Sequence, residues 1–285
     1  MKKQYMIADV HGMCGGVFAA LKTIDELLAA NPGKTIYVLH ELVHNTTVTR
    51  ELESRNVRFI NAPEELPENS IALIGAHGVS AAVEAQLRSR AGHLADATCP
   101  LVKKLQNIAA SLTDKEQLVI FGKPGHPEVV GTAGHSKAQA TYIVSNEADI
   151  AALPELAAPV FVSQTTVDAQ KSEKAMQLLI DRFPQIRCTP GVCDASKKRQ
   201  SAVIELAKRC PLVIIAGSAH SSNACRLREI AENQGAKAFR VDNADELPEA
   251  ELANCELVGL SSGASTPESV LEKIIARLQK MGFSA

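Results

Sequence analysis

The chain has 285 residues, of which 46% are hydrophobic, and its formal net charge at pH 7 is −2. This composition is sufficient for buried cores, but it provides no basic field for nucleic acid, and no run approaches the roughly 18 consecutive apolar residues of a membrane helix. Asp9, His11 and Gly12 come too early for a signal peptide, so we expect a cytoplasmic protein with no nucleic-acid or membrane partner.

The first elements follow clear periodicities. Residues 16–30 have apolar side chains at helical spacing and stop at the Asn-Pro-Gly of 31–33, which predicts a helix. Residues 36–39 and 71–74 are apolar runs of strand length, and each precedes a polar loop. Strands that alternate with helices indicate parallel sheets.

Three cysteines share one context that recurs along the chain. Cys14, Cys99 and Cys193 each end a short strand-like run and precede a helical one. A Leu-Pro pair recurs in step with them, at 66–67, 153–154 and 247–248. We therefore predict three pseudo-threefold-related α/β lobes with mostly parallel sheets around a central site. Their boundaries are 1–98 (with the N-terminal strand), 99–192 and 193–285.

Polar loops in the repeated segments, each of which is one copy of the repeat, indicate a candidate site. Ligands of parallel sheets collect beyond the carboxyl ends of the strands. In the second copy those loops are 125–128 and 163–166, and in the third copy they are 218–223 and 261–267.

The three repeated cysteines predict a metal centre. Seven cysteines, an odd number, do not suggest a disulfide framework in a cytosolic protein. Three thiolates fit a zinc ion with one histidine, or a 4Fe-4S cluster that leaves one iron open for substrate. Structural zinc favours closely paired ligands, so the separate positions favour the cluster. The other four cysteines, at 188, 210, 225 and 255, have no repeat partner and are interpreted as ordinary thiols.

Seven motifs in order resemble the LytB or IspH family, the 4-hydroxy-3-methylbut-2-enyl diphosphate reductases of the non-mevalonate isoprenoid pathway. They are His-Glu-Leu-Val-His-Asn (40–45), Ala-His-Gly-Val-Ser (76–80), Asp-Ala-Thr-Cys-Pro-Leu-Val (96–102), Gly-His-Pro-Glu-Val (125–129), Gln-Thr-Thr (164–166), Ser-Ser-Asn (221–223) and Gly-Ala-Ser-Thr-Pro (263–267). The resemblance covers nearly the whole chain.

The resemblance implies three lobes around a 4Fe-4S cluster, with Cys14, Cys99 and Cys193 as its ligands. It implies the reductive removal of the substrate hydroxyl as water, which gives isopentenyl and dimethylallyl diphosphates. A ferredoxin or flavodoxin is the implied electron donor.

The chemistry of the loops agrees with that activity. An allylic hydroxyl needs a proton before it leaves, and we assign Glu128 as the donor, with Thr165 and His126 completing the catalytic group. A diphosphate needs many hydrogen-bond donors. The residues assigned to it are His44, His77, His126, Thr165, Ser221, Ser222, Asn223 and Ser265.

The segment around Cys14 departs from the family pattern. His11 and Ala19 stand where the family has arginine, Phe18 lies between Val17 and Ala19, and Lys198 stands where the family tends to have asparagine. Fewer fixed positive charges near a cluster should lower its reduction potential or alter the docking of an electron donor. Three alternatives stay open: a paralogue that reduces another phosphorylated or allylic alcohol, a non-catalytic iron-sulfur sensor, and a zinc-stabilised phosphate-binding module.

Overall fold

The computed structural model describes residues 3–189 and 191–285, which form two compact units. One unit contains the N-terminal residues through Val17 together with His44–Arg50 and Asp194–Ala285. The other contains Phe18–Val43 and Glu51–Cys193. Every strand pairing described is parallel.

The first part of the chain forms a four-stranded sheet. The N-terminal strand is β1 (Lys3–Ile7), and it is followed by α1 (Gly15–Ala30), β2 (Ile36–Leu39), α2 (Thr46–Glu53), β3 (Val57–Ile60), β4 (Ile71–Ile74), α3 (Ala81–Arg90) and β5 (His93–Asp96). The sheet has the order β3-β2-β4-β5. Every residue of β4 is buried, as its uninterrupted apolar run requires.

The second part repeats this topology. Its elements are α4 (Pro100–Ser111), β6 (Gln117–Phe121), α5 (Pro127–Ala133), β7 (Ala140–Val144), α6 (Glu147–Ala151), β8 (Pro159–Ser163), α7 (Ala169–Arg182) and β9 (Arg187–Thr189). The sheet order is β7-β6-β8-β9, which is equivalent to that of the first sheet. Strands β6 and β8 are buried throughout, and Phe161 and Phe183 are among the largest side chains of this core.

The third part forms the largest sheet, and the N-terminal strand completes it. Its elements are α8 (Asp194–Arg209), β10 (Leu212–Ala216), α9 (Ser222–Asn233), β11 (Lys237–Val241), α10 (Glu249–Ala253), β12 (Leu257–Ser262), α11 (Glu268–Lys280) and β13 (Phe283–Ser284). The order is β11-β10-β12-β1-β13. Gln4 to Ile7 pair with Leu257 to Leu260.

The position of β1 corrects one detail of the sequence interpretation. The sequence predicts that the N-terminal strand belongs to the lobe 1–98. In the structure, β1 occupies the place in the third sheet that β5 and β9 occupy in the other two sheets. The reason is that strand pairing is non-local: the sequence around Lys3–Ile7 shows a strand but not the sheet edge it joins. The remaining lobe boundaries stay a prediction.

The repeated Leu-Pro pairs have equivalent places in the three parts. Leu66 and Leu247 each follow a short 3-10 helix, at Pro63–Glu65 and Ala244–Glu246, and Leu153 follows α6. All three leucines are buried, and each precedes the third strand of its sheet. The predicted fold class, three α/β lobes with parallel sheets, is confirmed. In the described part of the chain, no helix is long and apolar enough to cross a membrane.

Candidate active site

Each of the three repeated cysteines lies immediately before the first residue of a helix. Cys14 precedes α1, Cys99 precedes α4 and Cys193 precedes α8. The free N–H groups and the dipole of a helix N-terminus favour negative charge, so this position suits a thiolate ligand. All three thiols are partly accessible, whereas Cys210 and Cys255 are buried.

The backbone holds the three cysteines in the same way. Each cysteine N–H donates to the carbonyl of the second residue after the third strand of a sheet. The pairs are Cys14 with Ala264 (2.9 Å), Cys99 with Ala76 (3.0 Å) and Cys193 with Thr165 (3.2 Å). The repeat inferred from cysteine spacing therefore extends to individual hydrogen bonds.

The same three acceptor residues also donate to the segment that follows β2, β6 or β10 in their own sheet. The Ala76 N–H donates to the Leu42 carbonyl (3.0 Å), the Thr165 N–H to Glu128 Oε1 (2.6 Å) and the Ala264 N–H to Asn223 Oδ1 (2.9 Å). The backbone N–H and C=O groups of one residue thus connect each cysteine to the segment after β2, β6 or β10. Glu128 and Asn223 occupy equivalent positions in this scheme.

Two glycines let the cysteine segments approach the strand ends. The Gly191 N–H donates to Ser163 Oγ (2.9 Å), and the Gly12 N–H donates to Ser262 Oγ (2.7 Å). A Cβ atom on Gly191 would lie 1.7 Å from the Ser163 carbonyl oxygen. Gly12 has φ +73°, a backbone conformation that favours glycine.

Glu128 and Thr165 form a buried pair at the carboxyl ends of β6 and β8. The Thr165 hydroxyl donates to Glu128 Oε2 at 2.8 Å, in addition to the backbone hydrogen bond to Oε1. Glu128 is only 1% exposed. Burial raises the pKa of this carboxyl to about 7, although the two hydrogen bonds from Thr165 oppose the shift. A carboxyl with this pKa holds and releases a proton near neutral pH.

His126 caps the helix that contains Glu128. The Glu128 N–H donates to His126 Nδ1 (3.2 Å), and Pro127 fits the first helical turn because it has no N–H to satisfy. An Nδ1 that accepts leaves the proton of the neutral imidazole on Nε2. In that state the donor of the His126 ring is Nε2 and not Nδ1.

His77 lies beside His126. The two rings pack edge to face, with centroids 5.7 Å apart and planes at 84°. His77 belongs to the turn after β4, where Gly78 has φ +67°, a backbone conformation that favours glycine. These two imidazoles, both assigned to the diphosphate, thus lie together within the unit that contains Phe18–Val43 and Glu51–Cys193.

The remaining predicted binding residues lie in the other unit, which contains His44–Arg50 and Asp194–Ala285. Ser221 caps α9 by accepting the Ala224 N–H (3.3 Å), Ser222 begins the helix, and the Ser265 hydroxyl donates to the His44 carbonyl (2.9 Å). Asn223 is 4% exposed, and its Nδ2 has no hydrogen-bond partner among the residues that the structure describes. A buried amide donor of this kind is suited to a ligand oxygen.

The altered residues near Cys14 have ordinary contacts. His11 Nδ1 lies 2.7 Å from the Ala8 carbonyl oxygen, and its Nε2 lies 3.8 Å from Glu268 Oε1. Phe18 is 62% exposed. Within residues 3–189 and 191–285, no group of three or more His, Cys, Asp or Glu side chains forms a single-ion metal site.

Sequence reasoning missed one residue of this region, the buried Arg199 on α8. Its Nη2 donates to the Gly12 carbonyl (2.6 Å) and its Nη1 to the Ala195 carbonyl (2.9 Å). The sequence signal was weak, because Arg199 lies in the run Lys-Lys-Arg-Gln and looks like part of a solvated basic face.

Comparison with known proteins identifies the family. The family model of the LytB protein matches residues 6–279. The 4-hydroxy-3-methylbut-2-enyl diphosphate reductase of Acinetobacter baylyi is 39% identical, with 99% of this chain and 92% of the relative covered. The enzyme of that name from a Psychrobacter species is also 39% identical, with 98% and 90% covered. The chain belongs to the LytB family.

Solved structures agree with this assignment. The E-1-hydroxy-2-methyl-but-2-enyl-4-diphosphate reductase of Plasmodium falciparum matches with a TM-score of 0.90 and 30% identity, over 98% of this chain and 89% of that one. A second structure, described as (E)-4-hydroxy-3-methyl-but-2-enyl diphosphate reductase, the terminal enzyme of the non-mevalonate pathway, has a TM-score of 0.67 and 28% identity. It covers 98% of this chain and 100% of that one. The resemblance inferred from the seven motifs is confirmed.

Proposed function

We propose that this protein is an oxidoreductase of isoprenoid biosynthesis that converts 4-hydroxy-3-methylbut-2-enyl diphosphate into isopentenyl and dimethylallyl diphosphates. Two electrons and two protons convert the C–OH group of the substrate into C–H and water. The family membership and the names of the relatives support the substrate and the reaction.

The observation that carries the proposal is the hydrogen-bonded connection between Glu128, Thr165 and Cys193. A carboxyl with a pKa of about 7 contacts the hydroxyl and N–H of Thr165, and the carbonyl of that same residue accepts the Cys193 N–H. A proton donor is therefore tied to a candidate metal ligand through one residue. Reductive loss of a hydroxyl needs such a donor next to a source of electrons.

We assign Cys14, Cys99 and Cys193 as the ligands of a 4Fe-4S cluster. Their equivalent positions before three helices, and their equivalent backbone hydrogen bonds, fit a cofactor that takes one thiolate from each lobe. When bound, a cluster with three cysteine ligands supplies electrons one at a time and a Lewis-acidic iron. Electrons would come from a ferredoxin or flavodoxin.

Protein side chains supply the proton and hold the substrate. Protonated Glu128 can donate from Oε2 to Thr165 Oγ1, 2.8 Å away, and the Thr165 hydroxyl can pass its own proton to the leaving hydroxyl. Deprotonated Glu128 is then stabilised by the Thr165 N–H. Burial keeps water away from this carboxyl, so proton transfer to bulk solvent is suppressed.

The diphosphate would be held by neutral donors and imidazoles. Asn223 Nδ2 is a ready donor, because it is buried and has no hydrogen-bond partner among the described residues, while Asn223 Oδ1 accepts the Ala264 N–H. We assign the rest of the binding group from the family motifs. It consists of His44, His77, His126, Thr165, Ser221, Ser222 and Ser265.

The cluster assignment is tested by iron content. Protein purified without oxygen should be brown and should contain about four irons per chain. Cys14→Ser, Cys99→Ser and Cys193→Ser should each retain less iron, whereas Cys188→Ser, which changes a thiol five positions from Cys193, should retain all of it. Full iron retention in any of the first three variants, or a colourless protein with one zinc, would contradict the assignment.

A further inference from the structure

We propose that Arg199 is a positioning residue for the cluster, one that holds the Cys14 segment and supplies a fixed positive charge near two of the cysteine ligands. The inference rests on the proposed function. The family motifs did not identify it, and it follows from the hydrogen bonds of α8.

The geometry places one guanidinium against two cysteine-bearing segments. Arg199 donates to the Gly12 carbonyl at 2.6 Å and to the Ala195 carbonyl at 2.9 Å. Gly12 lies two residues before Cys14, and Ala195 lies two residues after Cys193. The side chain thus connects the approach to the first ligand with the first turn of the helix that follows the third.

The hydrogen bond to the Gly12 carbonyl helps to fix the turn that precedes Cys14. Gly12 has φ +73°, its N–H donates to Ser262 Oγ and its carbonyl accepts from Arg199, so the residue is held on both sides. The Cys14 N–H donates to Ala264, in the loop after the same strand. Removing Arg199 would release one side of this turn and allow the Cys14 thiol to move.

The charge of Arg199 is held in one place inside the protein. The residue is 3% exposed, and its head group lies at the first turn of α8. A guanidinium stays protonated at every pH at which the protein works. A fixed cation close to a bound cluster would favour reduction of that cluster.

The test compares three variants of the holoenzyme. Arg199→Met removes the charge and the hydrogen bonds to the Gly12 and Ala195 carbonyls. Arg199→Lys keeps the charge but cannot reproduce the planar two-point contact. Arg182→Met is the matched control. Arg182 also lies on a helix, donates to the Ile150 and Ala151 carbonyls at 2.7 Å and contacts the Leu153 carbonyl, but it holds no cysteine segment.

Two measurements separate a positioning role from general stability. The first is the rate at which an iron chelator removes iron without oxygen, and the second is the reduction potential of the bound cluster. We expect Arg199→Met to lose iron about 10- to 100-fold faster and to have a lower potential. Arg199→Lys should lose iron at an intermediate rate with a potential close to that of the unchanged protein. Arg182→Met should unfold at a lower temperature with both cluster properties unchanged.

The inference is overturned if Arg199→Met retains iron as long as the unchanged protein, or if the two methionine variants lose iron equally fast. If Arg199→Met contains no cluster as purified, Arg199→Lys decides by the same comparison. Failure of the proposed function would look different, because the unchanged protein itself would then contain no iron.

Discussion

Glu128 shows how one buried side chain acquires a function from its surroundings. A lone glutamate in a Gly-His-Pro-Glu-Val run indicates only a candidate acid. The structure adds the burial that raises the pKa of the carboxyl to about 7 and the two hydrogen bonds from Thr165 that oppose the shift. The residue type was predictable, but its pKa was not, because desolvation depends on side chains distant in sequence.

Replacing this carboxyl with an amide tests its role as proton donor. In Glu128→Gln, the amide oxygen can still accept the Thr165 N–H and the amide NH2 can donate to the Thr165 hydroxyl, so the fold and the iron content should be unchanged. Turnover should fall by roughly 10²-fold or more, because the variant has no acidic proton. Steady-state kinetics together with iron analysis measure both. Near-normal turnover would refute the assigned role.

The raised pKa also predicts how stability depends on pH. In the unfolded chain Glu128 ionises around its ordinary pKa of 4.5, whereas in the folded protein it stays protonated until about pH 7. The contribution of Glu128 to the free energy of unfolding is therefore fully present below pH 4.5 and is lost as the pH rises to 7. Relative to Glu128→Gln, the protein should lose on the order of 3 kcal/mol of unfolding free energy over this interval. Denaturant unfolding measures the difference, and parallel pH curves would contradict it.

At the scale of elements, local periodicity was a good guide and non-local pairing was not. The helix predicted at 16–30 is observed as Gly15–Ala30, and the strands predicted at 36–39 and 71–74 have those bounds. These segments have strong apolar patterns that do not depend on their neighbours. The N-terminal strand was assigned to the wrong sheet, because its partner β12 lies at the other end of the chain.

The junction between β8 and the Cys193 segment predicts a strict requirement for glycine. In Gly191→Ala the new Cβ would lie 1.7 Å from the Ser163 carbonyl oxygen, so the backbone must move. We expect unfolding free energy to fall by about 4 kcal/mol or more, and iron retention to fall with it. Thermal unfolding and iron analysis are the measurements.

A second glycine beside a cysteine provides the control. Gly15 directly follows Cys14, and a Cβ added there would meet nothing within 4 Å. Gly15→Ala should therefore leave stability and iron content close to those of the unchanged protein. Equal behaviour of the two alanine variants would mean that the close approach at Gly191 is not what holds the Cys193 segment.

At the scale of the whole molecule, the repeat was visible in the sequence, whereas the hydrogen bonds that hold the three cysteine segments were not. The cysteine and Leu-Pro spacings predicted three equivalent lobes, and the sheet orders agree. The backbone N–H and C=O groups of Ala76, Thr165 and Ala264 connect each cysteine to the segment after β2, β6 or β10. No sequence pattern indicates these three residues, because each acts through its backbone and two of the three are alanine.

Turnover of the proposed substrate tests the central claim most directly. Protein with about four irons per chain would be mixed, without oxygen, with 4-hydroxy-3-methylbut-2-enyl diphosphate and a chemical reductant. We predict that isopentenyl and dimethylallyl diphosphates form, with two electrons consumed per substrate molecule. Fully loaded protein that leaves this substrate unreduced would contradict the proposal.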